Sequence, residues 1–185
     1  MKRNKYLKVI ISIALLLSLP VSSIAKEMPL NLVDLVNGSE LIAIVDVFEI
    51  ESQGKSKASN AKAIIRKTLV GYSENNIIDM NWNGISITEL GQWIVFLKKD
   101  LHEYRATNGT RSFWKIDNAI LDKGECCSLF IVNRSPVKYL NIDPNLFSNQ
   151  LVYIDDLPRE SNPIKLSGIE VKKLESYIQS ITKKD

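Results

Sequence analysis

Apolar runs separated by polar turns divide the chain into short segments that read as strands. Leu41 to Ile50 (LIAIVDVFEI) is apolar on both faces at its start and gains Asp46 and Glu49 later. Such a strand is covered on both sides early and meets water near its far end. The polar stretch Glu51 to Asn60 holds no large apolar residue and is expected to loop. Ala61 to Val70 is a second strand, closed by Gly71, with Ala61, Ala63, Ile65 and Leu69 on one face. In the third, Ile78, Met80 and Trp82 alternate with Asp79, Asn81 and Asn83, a period of two. Asn83-Gly84 marks a turn, and Gly91 permits a sharp bend into QWIVFLK. There Trp93, Val95 and Leu97 oppose Ile94 and Phe96, as in a strand central to its sheet. Asn108-Gly109 predicts a two-residue type I′ hairpin pairing Tyr104 with Phe113, so Gly109→Val should be strongly destabilising.

Further segments flank this core. Asn31 to Gly38 (NLVDLVNG) has a capping Asn31, an early Asp34 and Gly38 as a left-handed exit. The expected short helix would plug the open end of a sheet. Signals weaken from Asn118 to Gly124. Cys126 to Val132 and Val137 to Asn141 read as strands, Leu146 to Ile154 as an extended segment, and Asp155 to Pro163 as a loop. An amphipathic helix is predicted over about Ser167 to Thr182. Ser167 and Glu170 have capping-box spacing.

The amino terminus has a different pattern. Lys2, Arg3, Lys5 and Lys8 precede an apolar run from Val9 to Leu19, then Pro20 and small residues. This is the order of a secretory signal peptide, and the run is shorter than the ~17–25 residues of a spanning helix. Cleavage is expected between Ala25 and Lys26. Residues 26–185 then form a single domain in the periplasm or outside the cell. Four of the 24 Lys and Arg, and none of the 21 Asp and Glu, lie in residues 1–25, so the remainder carries a net charge of −1. That balance gives no clustered positive face for nucleic acid. No segment after residue 25 is long and apolar enough to span a membrane.

The order of pieces resembles a group of small exported bacterial proteins with an OB-like barrel. NLVDLVNGSE precedes the first strand, the second ends in LVG, the third in NWNG, and GQWIVFLK and LSGIEVKKLESYI follow. The group is similar in layout to netrin and tissue-inhibitor-of-metalloproteinase modules. The resemblance implies a mainly β fold: an OB-like five-stranded barrel over residues 41–116, a small β extension and a C-terminal amphipathic helix. It implies no activity. Metalloproteinase inhibitors of this layout begin with a metal-binding cysteine, whereas Lys26 is expected to begin here.

Candidate chemistry is sparse. Cys126 and Cys127 are adjacent. Neighbouring Cα atoms sit about 3.8 Å apart, below the usual ~4.4–6.8 Å of a disulfide. A vicinal bridge would be strained and oxidising. Alternating strand directions would instead bury one thiol and leave the other at an edge. An intermolecular bridge or soft-metal site is the third reading. His102 is the sole histidine, within KKDLHEY, without the companions of a zinc site or a catalytic triad. Asp155-Asp156 lacks the spacing of a calcium loop. Trp82, Trp93 and Trp114 could stack on a ligand but sit at core-facing positions. Asn37, Asn108 and Asn133 begin glycosylation triplets, which a bacterial export route ignores.

These features predict an exported, non-catalytic binding or interaction module for a protein or small ligand, with no cofactor and no metal. A thiol-active or soft-metal-binding protein using Cys126-Cys127 is the alternative. An inhibitor of an extracellular enzyme is the third.

Overall fold

A computed structural model of the chain describes residues 30–52, 58–83, 87–101, 103–121, 128–132, 137–154 and 164–183. Strand β1 (Leu41–Ser52) pairs with β2 (Ala58–Val70) on one edge and with β4 (Gly91–Asp100) on the other. β3 (Ile77–Asn83) lies antiparallel to β2, and β5 (Glu103–Ala106) lies parallel to β3 and antiparallel to β4. The order β1-β2-β3-β5-β4 therefore closes back onto β1 as a five-stranded barrel of OB-like arrangement. β6 (Phe113–Lys115) pairs with β4 outside that ring.

Alternation along the two central strands builds two cores. Leu41, Ala43, Val45 and Val47 of β1 point into the barrel with Trp93, Val95 and Leu97 of β4. Ala61, Ala63, Ile78, Met80, Trp82 and Phe113 complete that interior, and Trp82 stands 5.0 Å from Phe113, ring to ring. On the opposite faces Ile42, Ile44, Ile94 and Phe96 would meet water without a cover. An outer core supplies it, with Trp114, Ile116, Ile131 and Ile169, and Phe96 packs 5.0 Å from Trp114. Burying each large apolar side chain contributes on the order of 1.5–3 kcal/mol. Both faces of β1 and β4 are thus buried, as their sequences predict.

Two helices close the outer core. In α1 (Leu32–Asn37) the Asn31 side chain accepts from Asp34 N at 2.6 Å, and Leu32, Leu35 and Val36 are buried. These residues join the outer core, so α1 covers the barrel wall; it does not plug the barrel's end. Gly38 ends α1 with φ −80°, not in the left-handed region. A side chain there would crowd Asp34 O and Thr107. Helix α2 (Val171–Thr182) buries Val171, Leu174 and Ile178. It starts later than predicted. Ser167 and Glu170 belong to β10 (Ile164–Glu170), and Glu170 caps α2 without a side-chain hydrogen bond. Pairing with two other strands holds that segment extended against its local capping-box signal.

The expected β extension is a second closed ring. It comprises β7 (Asp117–Leu121), β8 (Ser128–Val132), β9 (Ser148–Ile154) and β10, in the order β10-β8-β7-β9. Val137 to Asn141 is not a strand. Val137–Tyr139 is a 3-10 turn, and Asn141 makes an isolated bridge to Asn31. Much of the predicted Glu51–Asn60 loop is also paired, since Glu51 faces Asn60 and Ser52 faces Ser59. Polar residues do not prevent a ladder where one face of the ribbon is open to water.

The Asn108-Gly109 hairpin is absent. Ala106 faces Leu97 and Phe113 faces Val95, so β5 and β6 follow one another along the same edge of β4. Residues 107–112 loop out opposite Phe96, with Thr107 N donating to Phe96 O at 3.0 Å. Asn108 has φ −143°, incompatible with a type I′ turn, and Gly109–Ser112 is a 3-10 turn. Tyr104 consequently pairs with Lys99, not with Phe113. Trp114 Nε1 donates to Arg111 O at 2.8 Å, which ties the excursion to the outer core.

Candidate interaction site

The residues singled out for chemistry fall into two groups. Cys126, Cys127, Ala25, Lys26, His102 and the Asp155-Asp156 pair lie outside the described residues. The three tryptophans lie inside them and are buried. Trp93 Nε1 donates to Glu89 O at 3.2 Å, while Trp82 Nε1 finds no partner in the barrel interior among the described residues. None of the three indole faces is free for a ligand. Among the described residues no group of three His, Cys, Asp or Glu side chains is placed to hold a metal, and no helix is long and apolar enough to cross a membrane.

Among the described residues, the outer wall over β2, β3 and β5 carries two clefts. Because Ile78, Met80 and Trp82 turn inward, Ile77, Asp79 and Asn81 turn outward. The parallel register, Met80 with Tyr104 and Asn81 with Arg105, sets β5 beside them. Asn81 Nδ2 donates to Glu103 Oε2 at 2.6 Å. Across β2, Lys62 stands opposite Asp79 and reaches both carboxylate oxygens of Glu49 on β1, at 3.2 and 3.1 Å. The hydrogen bond to Glu49, and then the charges of Glu49, Glu51 and Asp79, hold the Lys62 ammonium above its ordinary value. Two clefts meet on this wall. One of about 160 Å³ runs between Glu74, Ile77 and Leu101, and one of about 80 Å³ between Glu49, Glu51 and Lys62. Asp79 and Glu103 line both, which makes them one shallow groove.

The groove has two chemical characters. At one end two exposed apolar side chains stand among polar neighbours: Ile77 is 54 % exposed and Leu101 86 % exposed. Leu101 follows Asp100, whose pairing with Glu103 closes the β4–β5 hairpin, and has φ +53°. A leucine in the left-handed region with its side chain in water is unfavourable twice over. Carboxylates run along the groove's whole length. Glu49, Glu51, Glu74, Asp79 and Glu103 face two lysines, Lys62 and Lys99. Lys62 is engaged by Glu49, and Lys99 lies 3.9 Å from Glu74. Pairs this exposed are screened by water and contribute little, so the barrel does not need them to fold.

Alternation along β3 places Asp79 on a solvent face but does not connect it to Glu103 or Leu101. The connection depends on the parallel β3–β5 pairing, which has no local signature. A usable signal was present in the alternation itself. Period two puts Ile77 on the polar side of β3, and Leu101 sits within an otherwise polar turn. No family model matches the chain, and no curated protein or solved structure matches it.

Proposed function

We propose that this protein is an exported, non-catalytic interaction module that binds a partner in the groove over β3 and β5. One observation carries the reading. Both apolar cores are sealed by their own elements, yet one outward wall keeps a groove with a strained, exposed leucine at its rim. Local strain on an exposed side chain is retained where the side chain is used. Export follows from the basic, apolar and small-residue order of residues 1–25, with maturation before Lys26. The OB-like barrel accords with kinship to the small exported bacterial proteins of netrin-like layout, and it assigns no activity by itself. The excess of carboxylates in the groove argues against a nucleic-acid backbone as ligand.

Site-directed photo-crosslinking in the producing cell tests this. A crosslinker at Leu101 is expected to trap a discrete partner, and one at exposed Lys172 on α2 to trap none. Equal trapping at both positions, or a defined substrate turned over by the purified protein, would remove the reading. Intact mass of the exported protein is expected to place its first residue at Lys26.

A further inference from the structure

We infer that the groove takes an extended segment of a protein partner, in which a large apolar side chain and a lysine or arginine stand two residues apart. This inference rests on the interaction reading above. Ile77 and Asp79 are successive outward residues of one strand, so their side chains emerge roughly 6.4–6.8 Å apart. Side chains two apart on an extended segment have the same spacing. An apolar group lying on Ile77 and Leu101 therefore places its second neighbour over Asp79 and Glu103. Neither carboxylate makes an ion pair with a described residue. A cation there would add charge-assisted hydrogen bonds that the folded chain leaves unmade.

Size and charge select this occupant over others. The larger cleft, about 160 Å³, is well under the ~300–1,000 Å³ of pockets that engulf a small molecule. It suits one or two side chains of something larger. Five carboxylates against two engaged lysines repel an anionic membrane surface as they repel phosphate backbones, and they favour a basic segment. The strained leucine then has a reason, because asparagine at Leu101 would fit φ +53° better but could not anchor an apolar side chain.

The test uses the purified protein against arrayed synthetic peptides. One set carries Leu-x-Lys-x-Lys or Ile-x-Arg-x-Lys, a second set has the cations replaced by Glu, and a third has the apolar residue replaced by Ser. Vesicles containing anionic lipid form a separate arm. Binding of the first set alone is expected, weakened at least tenfold by Asp79→Asn with Glu103→Gln and weakened as strongly by Leu101→Asn, with affinity falling as salt rises. Leu101→Asn relieves strain, so a loss of binding there is not a loss of folding. Binding of the Glu peptides or of vesicles, still sensitive to Leu101→Asn, would overturn the partner chemistry and leave the groove as an interaction site. Indifference of every peptide and vesicle to both sets of substitutions would overturn this inference and the groove reading together.

Discussion

At Gly71 a single hydrogen atom decides whether the barrel closes. Its φ is +78°, and a Cβ built there would stand 1.9 Å from Glu40 O. Glu40 also binds the far end of β4. Its N–H donates to Leu97 O at 2.8 Å, and its carboxylate accepts from Lys99 N at 2.6 Å. Backbone cannot retreat there without breaking the β1–β4 seam, so Gly71→Ala should cost about 3 kcal/mol or more in urea unfolding. Gly109 makes the contrast. It too has positive φ, +49°, but nothing lies within 4 Å of its missing side chain. Gly109→Ala should cost about 1 kcal/mol. If the two alanine variants proved equally stable, the close approach at Gly71 would be wrong. Leu101→Asn should raise the melting temperature, corresponding to a gain of up to about 1 kcal/mol, because asparagine tolerates the left-handed region. A lower melting temperature would mean that Leu101 packs rather than projects.

Elements were legible where their burial is written locally. β1 and β4 are apolar on both faces, and that pattern alone announces strands with a core on each side. β3 shows its inward set by strict alternation. α2 was legible as an amphipathic helix, but its start was not, because Ser167 and Glu170 mimic a cap while pairing of β10 with β8 and β9 keeps them extended. The Asn108-Gly109 signal misled for a related reason: the edge of β4 gives Phe113 and Trp114 a ladder and a core that a free hairpin could not. The same long-range dependence hid the groove. Leu174 on α2 is fully buried in the outer core, so Leu174→Ala should cost about 2–5 kcal/mol. A loss below 1 kcal/mol would show that α2 rests only lightly on the barrel. Between β1 and β2, the Glu49–Lys62 pair raises the lysine pKa. Its contribution is fully present below the ordinary lysine value of 10.5 and is lost as pH climbs through the raised value. The difference in melting temperature between the native protein and Glu49→Gln should therefore shrink in strongly alkaline buffer. A difference that grows there would contradict the assignment.

On the scale of the whole molecule, the barrel shares its most apolar strands with an outer core that helices and the second ring help to fill. That arrangement commits one side of the barrel, including Lys67, Leu69 and Val70 of β2, to structure and leaves the wall of β3, β5 and the first half of β2 to water. A face free of folding duty is where an interaction module can carry charge and exposed apolar side chains at little cost to stability. Deuterium exchange of the native protein, with and without a saturating basic peptide selected on the array, tests this division most directly. Added protection is expected to be confined to residues 77–81 and 101–106, with β7 to β10 and α2 unchanged. Protection appearing instead on α2 or the second ring, with the β3 and β5 segments unaltered, would contradict the account.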